Sequence, residues 1–240
     1  MRLGYFLRFL AAVSVLVSSV CIKHAEAVYA NITIDGDFSD WASIPVAVTD
    51  SSTPSIPNDL ESMSLANNDN FLFILLTFYS PVNPNGTPGG GTFLALDNDN
   101  NVATGFDIFG LGQIGAEVGW QNDFPFAQSN GVFNTGGGIT GGGGAISPYF
   151  TVTTTQEYAI ARSATFTATG LTIFPSNTFS LMAYSVDGST KVLGPAAYTF
   201  SGGPAAVPEP GIVGLLGIGG AVIIGWRRSR RNAASRRRDT

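Results

Sequence analysis

The chain has 240 residues with 17 acidic and 12 basic side chains, one cysteine and one histidine. Cys21 and His24 both lie within the first 27 residues, so the rest of the chain has no thiolate, no disulfide and no imidazole. Cysteine chemistry, histidine metal sites and Ser-His-Asp catalysis are therefore excluded for residues 28–240.

The N-terminal residues follow the pattern of a secretory signal peptide. Two arginines precede an apolar stretch at residues 9–22, and the small-residue sequence Ala-Glu-Ala follows at residues 25–27. We expect the Sec translocon to export the chain and signal peptidase to cut after Ala27, with a cut after Ala30 as the alternative. Residues 1–27 are therefore assigned to the signal peptide.

Residues 28–206 are long enough for one domain with its own hydrophobic core. They contain fourteen acidic side chains against two basic ones, Arg162 and Lys191, which gives a net charge near −12. Such a domain repels phosphate backbones, so no nucleic-acid partner is expected. Its charge suits divalent cations instead.

The sequence of residues 28–206 predicts an all-β domain. Short runs rich in Val, Ile, Thr, Phe and Tyr alternate with Gly, Pro, Asn and Asp, and helical periodicity is almost absent. This pattern predicts an antiparallel β-sandwich, jelly-roll-like, with residues 71–76 as a central strand because they are apolar on both faces. The glycine-rich segments 81–91 and 131–144 are expected to be mobile. The predicted strands are 32–34, 46–49, 61–67, 71–78, 92–96, 116–121, 149–154, 157–163, 178–186 and 191–193.

The first motif of chemical interest is Ile-Asp-Gly-Asp-Phe-Ser-Asp-Trp at residues 34–41. It predicts a tight turn in which the carboxylates accept backbone N–H bonds, with Trp41 packed on the sandwich. A ligand site at these residues is the alternative interpretation.

The second motif is an Asp-rich turn that follows the strand at residues 92–96. Asp97, Asp99 and Asn101 alternate, so their oxygens point into one concavity, and Thr104 or backbone carbonyls could complete a shell. Glu117 supplies a remote carboxylate if its strand folds back beside the turn. Hard cations prefer such oxygen ligands, and calcium is the expected guest. The alternative is an Asx-rich turn that needs no metal.

Both motifs resemble the family 9 carbohydrate-binding modules and their DOMON-like relatives. That family opens on a strand with Ile-Asp-Gly and Asp-Trp, as at residues 34–41, and has a later Asp-rich turn closed by Thr-Gly, as at 97–105. The stretches Gly-Ala-Glu at 115–117 and Glu-Tyr-Ala-Ile-Ala at 157–161 follow in the same order as in that family, with Ala161 where the family usually has proline. The resemblance implies a non-catalytic polysaccharide-binding module. Trp120 is the candidate residue for stacking on a sugar.

The C-terminal 34 residues have three parts. Val207, Pro208, Glu209 and Pro210 form an extended, accessible segment, because the prolines fix φ and remove backbone donors. Residues 211–226 carry no charge and would span roughly 24 Å as a helix at about 1.5 Å per residue. Residues 227–240 contain seven arginines, which place this tail in the cytoplasm. We therefore predict one C-terminal transmembrane helix over residues 211–226.

This arrangement resembles the PEP-CTERM sorting signal of Gram-negative bacteria. The resemblance implies transient anchoring in the inner membrane, recognition of residues 207–210 by an exosortase-type membrane protease or transpeptidase, and delivery to the cell surface or an exopolysaccharide matrix. Glu209 would belong to the recognition motif.

The predicted function is that of an exported surface or biofilm-matrix module, non-catalytic, that binds polysaccharide or a matrix partner and is stiffened by calcium. One alternative is a purely structural acidic protein without a specific ligand. A two-carboxylate glycoside-active enzyme is a further alternative, since Asp and Glu are plentiful.

Overall fold

The computed structural model describes residues 23–51, 59–83, 91–186 and 190–202. Most of the predicted signal peptide, the motif at 207–210, the predicted span at 211–226 and the arginine-rich tail lie outside the described residues. Within the described ranges, no helix has both the length and the apolar character needed to cross a membrane.

The described chain consists almost entirely of strands. Two single-turn 3₁₀ segments, Phe38–Trp41 and Ile108–Gly110, are its helical elements. The strands are β1 (Lys23–His24), β2 (Val46–Thr49), β3 (Leu60–Asn67), β4 (Phe71–Val82), β5 (Gly91–Asp97), β6 (Phe106–Asp107), β7 (Gly115–Ala116), β8 (Val118–Gln121), β9 (Phe124–Ala127), β10 (Ile139–Thr140), β11 (Ala145–Ser147), β12 (Thr153–Ala161), β13 (Thr165–Phe166), β14 (Thr178–Val186) and β15 (Thr190–Thr199).

Two large sheets form the architecture. One has six strands in the order β1-β15-β14-β5-β8-β9, and the other has five in the order β11-β12-β4-β3-β2. All pairs within these sheets are antiparallel except β1 with β15. The predicted all-β, antiparallel sandwich is confirmed.

The main core lies between the two sheets. Alternate residues of each strand point to the same face, so Leu94 and Leu96 of β5 enter this core together with Leu181 and Ala183 of β14. Leu65, Ile74 and other residues of β3 and β4 meet them from the five-stranded sheet. The remaining positions of β5 and β14 face outward, where a separate apolar cluster covers the six-stranded sheet.

Strand β4 occupies the middle of the five-stranded sheet, as its uniformly apolar sequence predicts. It is joined to β3 by a tight turn in which the Asn68 Oδ1 accepts the backbone N–H groups of Asn70 and Phe71, both at 2.8 Å. The two strands therefore form a hairpin. Its chemistry is that of an Asx turn.

Some strand boundaries differ from the sequence-based expectation. Residues 32–34 do not form a strand, and the separate predicted strands at 149–154 and 157–163 are replaced by the single strand β12. The short strand predicted at 191–193 is part of the ten-residue β15. Residues 23–27, assigned to the signal peptide, contribute the edge strand β1, and Ala25 is buried in the core. The boundary after Ala27 stays a prediction.

The glycine-rich segment 131–144 has defined contacts in the fold. The Ala127 N–H donates to the Gly137 carbonyl at 2.9 Å, and the Thr167 N–H donates to the Gly138 carbonyl at 3.0 Å. The indole of Trp120 donates to the Gly142 carbonyl at 2.7 Å. These hydrogen bonds hold the segment against the sandwich despite its low apolar content.

Candidate metal centre

The turn after β5 is organised by its own side chains. The Asn101 N–H donates to the Asp99 Oδ1 at 2.9 Å and to the Asp97 Oδ1 at 3.2 Å. The Thr104 hydroxyl donates to the Asp99 Oδ2 at 3.0 Å. These bonds curl residues 97–104 into a compact loop at the end of the six-stranded sheet, with the Asp97 carboxylate on its inner side.

Glu117 folds back beside this loop, as the sequence-based hypothesis requires. Its N–H donates to the Leu96 carbonyl at 3.0 Å, and its Oε2 accepts the Asn98 N–H at 3.1 Å.

The close approach of the Glu117 segment to the Asp-rich loop depends on two glycines. A Cβ at Gly115 would lie 2.0 Å from the Thr104 carbonyl oxygen, and Gly105 has φ +66° with the Gly115 backbone 2.5 Å from its would-be Cβ. Only glycines allow the two segments to pack this closely.

Three carboxylates converge at this point. Asp97, Asp99 and Glu117 each offer one oxygen, and these oxygens lie within 4.8 Å of one another. Two ligands of one calcium ion, each at about 2.3–2.6 Å, cannot be separated by more than roughly 5 Å. The three residues therefore fit a single hard cation. An all-oxygen donor set favours calcium or magnesium over zinc.

One oxygen of the cluster lacks a protein partner. The Glu117 Oε1 is buried and accepts no hydrogen bond from the described residues. A buried carboxylate oxygen without a partner is unfavourable. A cation or an ordered water at this position would satisfy it.

Burial also changes the acidity of the cluster. Desolvation raises the pKa of the Glu117 carboxyl to about 7, and the neighbouring Asp99 and Asp97 charges act in the same direction. Burial likewise raises the pKa of Asp97, although N–H donors from Gly115 and Asn101 oppose the shift. The ionised form of the cluster is therefore unfavourable in its surroundings. A divalent cation would stabilise it by neutralising the carboxylate charges.

The two other predicted ligands have different positions. Thr104 lies beside Asp99, so its hydroxyl belongs to the cluster. The amide oxygen of Asn101 accepts the Ala103 N–H at 3.2 Å and serves the turn itself. The backbone carbonyl of Asn101 accepts from Thr104.

The candidate role of Trp120 is corrected. Its side chain is 1% exposed and belongs to the core between the sheets. Strand alternation points residue 120 inward together with Val118. It cannot present a face for stacking on a sugar.

The motif at residues 34–41 has a structural role that centres on Glu157. The fully buried Glu157 carboxylate accepts the N–H groups of Asp35 at 2.9 Å and Gly36 at 2.7 Å through Oε1, and the Trp41 indole N–H at 3.0 Å through Oε2. Trp41 is buried in a satellite apolar cluster. The predicted turn and packed tryptophan are therefore confirmed. Local sequence pattern cannot show that Glu157, more than a hundred residues away, is their common acceptor.

Comparison with protein-family models identifies the PEP-CTERM protein-sorting motif over residues 206–231. The sorting signal predicted from residues 207–210, the apolar run and the arginines is thus confirmed. This motif implies export, anchoring of the C-terminus in the membrane and processing by an exosortase. No curated protein matches the chain.

The solved structures that resemble the fold include two of a family 9 carbohydrate-binding module from Caldicellulosiruptor kristjanssonii. One is in complex with cellotriose, with a TM-score of 0.43 and 14% identity over 76% of this chain and 97% of that chain. The other is in complex with glucose, with a TM-score of 0.44 and 14% identity over 76% of this chain and 99% of that chain.

Proposed function

We propose that the chain is a non-catalytic module of the cell surface or extracellular matrix, exported by the Sec translocon and sorted by an exosortase-type protease or transpeptidase. The sorting motif at residues 206–231 carries this proposal. Signal peptidase removes the N-terminal segment, and the C-terminus is anchored transiently in the inner membrane with the arginines in the cytoplasm. Mass spectrometry of the mature C-terminus from native cells tests this. A full set of arginines on the mature protein would replace sorting with a permanent anchor.

The second part of the proposal is that the carboxylate cluster binds calcium. Its support is the convergence of Asp97, Asp99 and Glu117 within 4.8 Å, together with the unpartnered Glu117 Oε1. Bound calcium would fix the loop at residues 97–104 against β7 and β8 by linking side chains that otherwise repel one another. The ion would act structurally, since a ligand that binds the folded state alone stabilises it.

Glu117→Gln tests the calcium site through two effects of opposite sign. Without calcium, the substitution removes a buried charge and raises the melting temperature relative to the parent. With millimolar calcium, the parent is stabilised and the variant is not. Asp69→Asn, an exposed turn residue outside the cluster, is the matched control and keeps the full calcium response. A parent melting temperature unchanged by calcium at constant ionic strength would refute the site.

The third part is that the delivered domain binds an extracellular polysaccharide. Its support is the delivery to a polysaccharide-rich surface and the motif resemblance at residues 34–41 and 97–117. A glycan array probed with the exported protein, with and without calcium, tests it. The absence of binding to every glycan, including the producing cell's own polymer, would favour the purely structural acidic protein. Release of reducing ends from a polysaccharide panel would favour an enzyme.

A further inference from the structure

An apolar cavity lies on the outer face of the six-stranded sheet, apart from the core between the sheets and from the carboxylate cluster. Its volume is about 490 Å³. Phe93 of β5 and Tyr184 of β14 form its floor, because these positions alternate with the inward-facing Leu94 and Ala183. The segment Ile108–Gly110 forms one wall.

The cavity is built mainly from aromatic rings. Phe93 and Tyr184 pair directly across the two strands and stack with ring centroids 4.9 Å apart and planes 8° apart. Phe109 stands edge-on to Tyr184 at 5.3 Å. Phe133 stands edge-on to Phe106 at 5.5 Å. The stacked pair below and the edge-on rings around it give the cavity an aromatic lining that suits a planar or ring-shaped guest.

Two features of the rim are unfavourable without a guest. Phe109 and Phe133 are 47% and 44% exposed, although both contribute to an apolar surface. Phe109 also has φ +56°, a left-handed conformation that a bulky residue rarely adopts. Such strain concentrates at sites that clamp ligands. The fold therefore holds an aromatic ring over the cavity mouth at a conformational cost.

The chemistry of the walls selects the class of guest. Apart from backbone atoms, the polar groups of the lining are the Asp107 carboxylate and the Tyr184 hydroxyl. The Asp107 Oδ1 already accepts the Gly112 N–H at 2.8 Å. The Tyr184 hydroxyl is buried and has no hydrogen-bond partner among the described residues. A sugar ring brings several hydroxyls that each need a partner, and these walls cannot supply them.

We infer that this aromatic cavity binds a small, uncharged, predominantly apolar molecule, of one or two fused rings with at most one or two polar atoms. The volume lies within the roughly 300–1,000 Å³ of typical small-molecule sites. Anionic guests are disfavoured by Asp107 and by the acidic character of the whole domain. The inference goes beyond the proposed function, because it needs neither calcium nor polysaccharide.

Fluorescence titration of the exported protein with prodan, a neutral fluorophore built on one two-ring naphthalene, tests the inference. We expect saturable binding with one site per chain and a blue-shifted emission. Phe109→Asp places a charge at the cavity mouth and should weaken binding at least tenfold. Aspartate tolerates a positive φ better than phenylalanine, so this substitution leaves folding intact. Phe133→Ser, on the other side of the mouth, should also weaken binding.

Phe150→Asp is the matched control, because Phe150 is 69% exposed and does not line the cavity. It should bind the probe as the parent does. Probe binding should be equal in EGTA and in millimolar calcium, which separates this site from the calcium proposal. The inference is overturned by an absence of saturable binding, by equal binding in Phe109→Asp and the parent, or by displacement of the probe by cellotriose.

Discussion

At the scale of single residues, the carboxylate of Glu157 links the start of the domain to strand β12 of the five-stranded sheet. Its three accepted hydrogen bonds come from Asp35, Gly36 and Trp41. In Glu157→Gln, the amide NH₂ would face one of these donors. We expect the free energy of unfolding to fall by about 2 kcal/mol, the usual cost of leaving a buried group unpaired. Urea denaturation measures the change.

A double-mutant cycle shows whether this loss comes from the indole contact. Trp41→Phe removes the N–H donor while keeping an aromatic ring, so Glu157→Gln should cost less in that background. Equal costs in both backgrounds would place the loss at Asp35 and Gly36. A change below about 0.5 kcal/mol in the parent background, the range of ordinary surface substitutions, would contradict the structural role.

Glu117 makes the calcium response depend on pH. Burial raises the pKa of its carboxyl to about 7 in the folded chain, above the ordinary value of 4.5. The unfolded chain therefore loses this proton first, and calcium-free stability falls as pH rises from about 4.5 to about 7. Calcium needs the ionised carboxylate, so its affinity should rise over the upper part of the same interval.

Melting curves at pH 5, 6, 7 and 8, recorded in EGTA and in saturating calcium, measure both trends. The gap between the two curves should widen with pH and level off above about 7. Glu117→Gln has no carboxyl to titrate, so the decline caused by this group should vanish in that variant. A calcium effect of the same size at pH 5 and pH 8 would contradict the role of Glu117.

At the scale of elements, the contact between the Asp-rich loop and β7 depends on Gly115. A Cβ there would lie 2.0 Å from the Thr104 carbonyl oxygen, a backbone atom that cannot move aside alone. We expect Gly115→Ala to destabilise the fold by about 3 kcal/mol, at the upper end of overpacking costs, and to abolish the calcium response. Gly143→Ala is the matched control, since its nearest neighbour lies 3.8 Å away. Thermal melts with and without calcium decide between these outcomes.

Elements with a strong local pattern could be predicted from the sequence. The apolar β4 and the Asp-rich turn after β5 are each determined by a few neighbouring residues. The division of β12 into two predicted strands is wrong, because the polar Gln156 interrupts the apolar pattern. In the structure Gln156 is buried, and its side-chain amide donates to the Pro148 carbonyl at 3.1 Å. That partner lies in a separate segment, where local pattern gives no information.

Strand β15 was predicted too short for a similar reason. Gly194 and Pro195 read as a strand end, because proline has no N–H for a ladder. In the structure, Leu181 pairs with Ala196 and Ala183 pairs with Leu193, so the two residues bulge out opposite Met182 and pairing resumes. Bulges of this kind depend on the partner strand. The convergence of Glu117 with Asp97 also depends on residues that are distant in the sequence. The sequence predicts it only on the condition that the strand of Glu117 folds back beside the Asp-rich turn.

At the scale of the whole molecule, the negative charge of the domain gives calcium two possible effects. The ion can bind at the carboxylate cluster, and it can reduce the repulsion between surface charges as any salt does. Both cations between residues 28 and 206 have intramolecular contacts: Lys191 lies 3.6 Å from Asp59, and the Arg162 guanidinium lies 3.9 Å from the centre of the Phe200 ring. The surface is left strongly acidic, and any salt will reduce its self-repulsion. Calcium at the cluster must therefore be judged at constant ionic strength, against the Glu117→Gln variant.

The C-terminal sorting motif determines where this acidic domain is delivered. We expect Glu209→Ala combined with Pro208→Ala to block processing, because the Pro-Glu-Pro sequence is the feature that an exosortase would recognise. The variant chain should keep its arginine-rich tail and remain in the inner-membrane fraction, while the parent reaches the surface without it. Asp239→Ala, outside the matched residues 206–231, is the control and should be processed normally. Cell fractionation followed by mass spectrometry of the C-terminus measures both, and surface delivery of the double variant with a trimmed tail would show that recognition lies elsewhere.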